Sequence, residues 1–207
     1  MKSRRKSPQF IVVTGTDTDV GKTVFAAFAT VFLRQNGKNV AALKPICSGG
    51  RDDARLLRDA AGKVLSLDEV NPWHFRVALA PTLSARMEKR RVRLREVVAH
   101  IKRVSKPFET VLVEGAGGLL SPMGEGFDSR DLIVALGAKP IIVCPNRLGA
   151  VNQIRVTLEA LPQPFRDAAR IVLVSPKRSD NASRTNLSLL AEYLDPKRIW
   201  VMPRIGR

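Results

Sequence analysis

The sequence predicts an α/β fold: a doubly wound, mostly parallel sheet with helices on both faces, in a single domain. Three observations carry this. Short β-branched runs alternate with helical patterns along most of the chain. The runs are apolar throughout, as strands buried on both faces are. The glycine-rich, charged turns fall where the runs end, which is the side of such a sheet that binds ligands. A length of 207 residues suits one domain. The apolar share of 44% is enough for a core and argues against disorder.

The elements follow in chain order. Residues 1–7 form a basic N-terminal tail ahead of a domain over 8–207. Strands are expected at Phe10–Thr14, Val40–Leu43, Thr110–Val113, Pro140–Cys144 and Arg170–Val174, with a weaker one at Ile199–Val201. Helices are expected at Lys22–Gln35, Asp52–Ala61, Thr82–Val104, Ser129–Leu136, Ala150–Ala160 and Ala182–Tyr193. No apolar run approaches the ~18 residues of a membrane span. Two cysteines, Cys47 and Cys144, exclude a disulfide scaffold and fit a reducing cytoplasm.

The net charge of +16 raises nucleic acid, an anionic membrane or an anionic ligand as partners. Its distribution narrows that list. Residues 1–7, 86–106 and 166–207 hold the whole surplus, and the remaining segments balance. A charge run of this kind most simply makes a solvated helix face. Nucleic acid and membrane are therefore not expected as partners.

The most informative stretch is Phe10-Ile-Val-Val-Thr-Gly15-Thr-Asp-Thr-Asp-Val-Gly21-Lys22-Thr23. A strand enters a tight turn, and Gly-Lys-Thr opens a helix whose N-terminal amides suit phosphates. Lys22 would reach the outer phosphates and Thr23 would offer its hydroxyl to Mg²⁺. Five residues separate Gly15 from Gly21, one more than the common pattern. Other strand ends supply partners. Lys44 closes the second strand and either faces the same crevice or is a solvated lysine before a turn. Asp52 and Asp53 either cap a helix or offer one carboxylate to Mg²⁺. Glu114 ends an apolar strand and is followed by Gly115-Ala116-Gly117-Gly118, where a ligand can approach the backbone closely.

Taken together, these residues resemble the dethiobiotin synthetase family, ATP-dependent P-loop NTPase-like enzymes, over most of the chain. Gly15-Thr-Asp-Thr-Asp-Val-Gly-Lys-Thr23 is similar to that family's extended phosphate loop. Lys44-Pro-Ile-Cys-Ser-Gly49, Val70-Asn-Pro-Trp-His-Phe75, Leu79-Ala-Pro81, Val113-Glu-Gly-Ala-Gly-Gly118 and Leu148-Gly-Ala-Val-Asn152 are similar to its further segments. The resemblance implies that Lys44 is the active-site lysine, with Lys22 beside it. It implies that Asp19, Val20, Gly21, Lys22, Thr23 and Val24 wrap the ATP phosphates, and that Asp53, Glu114, Gly115, Ala116, Gly117 and Ser175 complete the ATP site. Thr23, Asp53 and Glu114 would hold Mg²⁺. Thr18 and Ser48 would help bind the diamino acid, and Asn152 would reach the substrate carboxylate of a neighbouring subunit. The implied partners are ATP as co-substrate, CO₂ or bicarbonate, 7,8-diaminononanoate and a second copy of the chain. The implied reaction captures CO₂ on one amine as a carbamate, phosphorylates it to a carbamic–phosphoric anhydride, and closes a cyclic urea.

Two departures keep other readings open. The strand Ile171–Val174 ends in Ser175-Pro176, where the family usually has an asparagine amide that reads the adenine, and the chain stops soon after Pro203. A divergent paralogue with another substrate fits these departures. A partitioning-type P-loop ATPase binding DNA or membrane through 86–106 would carry a lysine early in its loop, where this chain has Asp17.

Overall fold

A computed structural model describes residues 7–203. The basic tail lies outside them except for Ser7, as does the end of the chain after Pro203. The elements are β1 (Gln9–Gly15), α1 (Lys22–Gln35), β2 (Val40–Leu43), β3 (Ile46–Ser48), α2 (Asp52–Ala60), α3 (Leu67–Val70), β4 (Trp73–Phe75), α4 (Pro81–Met87) and α5 (Leu94–Ser105). They continue with β5 (Thr110–Glu114), α6 (Ser129–Leu136), β6 (Lys139–Pro145), α7 (Ala150–Glu159), α8 (Gln163–Ala168), β7 (Arg170–Val174), α9 (Asn181–Ala191) and β8 (Ile199–Met202).

Six strands form one parallel sheet in the order β2-β5-β1-β6-β7-β8. The pleat divides its side chains between two cores. Val12, Leu43, Val111, Val113, Ile142, Ile171 and Leu173 meet α5, α6 and α7 through Ile101, Leu132 and Ile154. Val13, Val40, Ala42, Leu112, Val143 and Val172 meet α1 and α2 through Phe25, Ala26 and Leu57. Both faces are thus covered, which is why the strands read as unbroken apolar runs.

Local chemistry sets the helix ends. Asp128 caps α6 reciprocally with Asp131, and Gly137 closes that helix in the left-handed region at φ 60°. Ser66 and Glu69 form a capping box that starts α3, a helix of only four residues.

One expected helix is corrected. Thr82–Val104 is not continuous but forms α4 and α5, separated by residues 88–93. Lys89 takes φ 53° and its neighbour Arg90 donates its N–H back to the Ala85 carbonyl, ending α4. Val92 is then fully buried, and its carbonyl accepts the Glu125 N–H at 2.8 Å. Tertiary anchoring of Val92 outweighs the helix propensity of the surrounding arginines. The basic segment is therefore no single helix face. Arg86 pairs with Glu125, Arg93 with Glu96, and Arg90 lies over the Phe75 ring. A second, two-stranded parallel sheet, β3 with β4, was not expected; it places Ser48 opposite Phe75.

Candidate active site

The carboxyl ends of β1, β2, β5, β6 and β7 open into one cleft of about 1210 Å³. The loop after β1 forms its floor. Gly15 has no room for a side chain: a Cβ there would lie 2.6 Å from Val20 Cγ2, 3.1 Å from the Asp17 carbonyl and 3.2 Å from that of Val143. Gly21 takes φ 99° at the start of α1, which has no side-chain cap. The first amides of a 14-residue helix therefore face the cleft, an arrangement that suits an anion. Gly15→Ala is expected to destabilise the fold by about 1–3 kcal/mol through overpacking against backbone. Urea unfolding should show the loss, and a nucleotide titration should show weakened binding with it.

Charged side chains converge above that floor. Glu114, at the end of β5, is 1% exposed. Its Oε1 accepts hydrogen bonds from Lys44 Nζ at 2.5 Å and Thr23 Oγ1 at 2.8 Å. Lys44 Nζ also lies 3.3 Å from Asp53 Oδ2. Burial pulls the Lys44 ammonium pKa down, but Glu114 and Asp53 outweigh it, so the net direction is upward and the charge is held. Lys22 has the opposite balance. Burial is the largest influence and Lys44 adds to it; Glu114, Asp19 and Asp17 only partly compensate, leaving a pKa of about 8. Its Nζ donates to the Asp17 carbonyl at 2.7 Å across the loop.

The donor set fits a hard cation. Glu114 Oε2 is buried without a hydrogen-bond partner, and the nearby Thr23 hydroxyl and Asp53 carboxylate add oxygen donors. Magnesium prefers such oxygens and usually takes only one or two carboxylates, keeping waters and phosphate oxygens for the rest. No group of three His, Cys, Asp or Glu able to hold a metal occurs among the described residues.

The cleft gathers most of the residues expected from sequence. Thr18, Asp19, Val20, Gly21, Lys22, Thr23, Val24, Lys44, Ser48, Asp53, Glu114, Ala116, Gly117 and Ser175 all line it. Two do not. Gly115 turns its N–H to the Val13 carbonyl, and a Cβ on it would strike Ser129 Oγ. Asn152 is exposed on α7, outside the cleft. Other residues contribute without a role predicted for them, although Asn71 stands in the Val70–Phe75 segment that resembles the family. Buried Asn71 donates to the Lys44 carbonyl at 2.7 Å and accepts from Arg51 Nε at 3.1 Å, fixing the strand end that presents Lys44. Asn146 lines the cleft after β6, donating to the Ser183 carbonyl and accepting from Asn186. Cys47 also lines it, but burial pushes its thiol pKa up, which leaves it a small filler.

Comparison with known proteins adds the family. Residues 9–203 match a family model described as an AAA domain. The ATP-dependent dethiobiotin synthetase BioD of Akkermansia muciniphila is 38% identical, over 89% of this chain and 87% of that protein. The protein of the same name from Bacillus subtilis strain 168 is 32% identical, over 94% and 87%. That of Anaeromyxobacter dehalogenans strain 2CP-C is 38% identical, over 84% and 79%. Among solved structures, the signal recognition particle 54 kDa protein of Aeropyrum pernix K1, in complex with GDP, superposes with a TM-score of 0.51. That pair shares 15% identity, covering 98% of this chain and 43% of the other, and the likeness is one of fold.

Proposed function

Since this chain belongs to the ATP-dependent dethiobiotin synthetase family, an ATP-dependent ligase family, we propose that it closes the cyclic urea of dethiobiotin from 7,8-diaminononanoate, CO₂ and ATP. The observation that carries this is the convergence of Lys44 and Thr23 on the buried Glu114, with Asp53 on the far side of Lys44, beside the loop that opens α1.

Each step crowds negative charge into the cleft. One amine of the substrate adds to CO₂, forming an N–C bond and losing a proton. The carbamate oxygen attacks the γ-phosphorus and ADP leaves. The second amine attacks the carbonyl carbon of the mixed anhydride, and phosphate leaves as the ring closes. The amides at the start of α1 and the Lys22 and Lys44 ammonium groups stabilise the transferring phosphoryl group. A carbamate is already anionic, so catalysis is mainly positioning and charge stabilisation. Thr23, Asp53 and Glu114 would hold Mg²⁺, which would offset charge on the phosphate oxygens. Thr18 and Ser48 would orient the diamine. Ser48 Oγ is tied to the Leu79 carbonyl, which keeps the hydroxyl on the cleft wall.

A homodimer belongs to the same reading. Leu148 is 83% exposed in the turn before α7, and Val156, one helical turn beyond exposed Asn152, is 61% exposed. A second copy packed on this apolar ridge would bring Asn152 to its neighbour's substrate. We place the enzyme in the cytoplasm, where two buried free cysteines stay reduced. Among the described residues, no helix is long and apolar enough to cross a membrane.

Purified protein supplied with ATP, Mg²⁺ and bicarbonate should release phosphate only when the diamine is added. Phosphate release without dependence on the diamine would overturn the reading. A pH effect follows from Lys22. Its charge is present below about 8 and lost above it. Nucleotide affinity of the free protein should therefore be steady near pH 7 and fall about tenfold by pH 9, following one proton per site. Titration calorimetry above pH 8 should also record proton uptake on binding.

A further inference from the structure

Lys44 Nζ lies 3.3 Å from Asp53 Oδ2, yet the two come from different elements, the end of β2 and the first turn of α2. Both are held from behind by the turn that follows α3. The Lys44 N–H donates to the Val70 carbonyl at 3.0 Å, and the Lys44 carbonyl accepts from Asn71 Nδ2 at 2.7 Å. Arg51, the residue before α2, donates from Nε to Asn71 Oδ1 at 3.1 Å. Its terminal nitrogen donates to the Asn71 carbonyl at 2.9 Å and the Leu67 carbonyl at 3.1 Å, and pairs with Asp68. The Arg51 carbonyl in turn accepts the Arg55 N–H at 2.9 Å, a bond of the first turn of α2.

Asn71 thus stands between the two elements. It is 1% exposed and is not part of the cleft wall. Both ends of its amide are used. Nδ2 faces two carbonyls, that of Lys44 and, at 3.5 Å, that of Pro45. Oδ1 faces Arg51 Nε and, at 3.2 Å, Cys47 Sγ. Turning the amide over would set its N–H groups against the guanidinium and its oxygen against the carbonyls, so one orientation is fixed. The contacts close a ring: Asn71 to the Lys44 backbone, Lys44 Nζ to Asp53, Asp53 to Arg51 along the chain, and Arg51 back to Asn71.

We propose that Asn71 is a positioning residue that sets Lys44 against Asp53, and with them the lysine and metal sides of the cleft. The proposal rests on the ligase reading and deepens it. A misplacement of about 1 Å in such a pair costs up to about a hundredfold in rate. The loop after β1 makes its own contacts, Thr16 N–H to the Val143 carbonyl and Lys22 Nζ to the Asp17 carbonyl, so its hold on phosphates does not pass through Asn71.

Asn71→Leu keeps the branched outline and removes every hydrogen bond of the amide. The full chain is assayed for melting temperature, for displacement of a fluorescent adenine nucleotide with and without Mg²⁺, and for diamine-dependent phosphate release well below melting. Nucleotide affinity without Mg²⁺ should stay within about twofold of wild type, the gain in affinity on adding Mg²⁺ should shrink about tenfold, and kcat should fall about 10–100-fold. A purely structural role would lower the melting temperature and leave the Mg²⁺ gain and the kcat of the folded protein unchanged, and that result would overturn the proposal. Arg51→Lys tests the bridge from its other end, since it keeps a charge near Asp68 but loses the Nε donor. It should reproduce the fall in kcat, and the double variant should be worse than Asn71→Leu by less than about twofold. Losses that multiply would overturn the bridge. Should Asn71→Leu fail to fold, Arg51→Lys decides, and an unchanged kcat there overturns the proposal. If wild-type phosphate release does not depend on the diamine, the ligase reading fails, and the Mg²⁺ gain still decides the role of Asn71.

Discussion

Lys44→Ala is expected to lower kcat by about a thousandfold, the upper range for losing one preorganised charge-stabilising group. Lys44 is 6% exposed and holds the carboxylates of Glu114 and Asp53. Without it the transferring phosphoryl group loses its nearest fixed cation on the β2 side. The substitution also strands Glu114, which is buried and would keep only the Thr23 hydroxyl on Oε1. Removing one partner of a buried pair costs about 3–5 kcal/mol, so thermal stability should fall as well. The stability effect is isolated in the double variant Lys44→Ala with Glu114→Gln, since Glu114→Gln by itself also lowers turnover. Neutralising the orphaned carboxylate should recover much of the melting temperature and none of the turnover. Recovery of turnover would mean that Lys44 acts only by supporting the fold. A single variant with full activity would refute its catalytic role outright.

Glu114→Gln carries the second large effect. The amide fills the same volume but gives up the charge that faces Lys44, Thr23 and the unpartnered Oε2 position. Loss of an outer partner at a metal site costs about 10–100-fold in affinity, and loss of a direct carboxylate ligand should cost at least as much. The Mg²⁺ concentration for half-maximal rate should therefore rise at least about tenfold, with kcat reduced even at saturation. Lys44 retains Asp53 in this variant, so the fold should be less affected than in Lys44→Ala. Magnesium titrations of phosphate release check this. An unchanged Mg²⁺ dependence would remove Glu114 from the metal site.

The sequence made these residues legible because each sits at the end of an apolar strand or the start of a helix. Lys22, Lys44 and Glu114 are punctuated by glycine, proline or small residues that mark the carboxyl edge of a parallel sheet. Asn71 lies in the Val70–Phe75 segment that resembles the family and Asn146 just past the end of β6, but neither position states what the side chain does. Each is one polar residue whose importance depends on the carbonyls it meets after the chain has folded. The break between α4 and α5 was hidden for a related reason. Periodicity runs through 82–104, and the helix stops where Lys89 turns left-handed and the buried Val92 gives its carbonyl to the Glu125 N–H. Strands of three residues, β3 and β4, are too short to show a period at all. Gly115 shows the limit of reading a glycine-rich loop as a whole, since its close contact is with Ser129 and not with the cleft. Within the basic segment 86–106, Arg86, Arg93 and Arg90 take local partners: Glu125, Glu96 and the Phe75 ring.

The central claim is that the cluster around Glu114 couples ATP cleavage to carbon capture on a diamine. It is tested most directly by supplying the enzyme with ¹³C-bicarbonate, ATP, Mg²⁺ and 7,8-diaminononanoate and weighing the product. The account predicts dethiobiotin with one labelled ureido carbon, formed in step with ADP. ADP formation with no labelled cyclic product would contradict it.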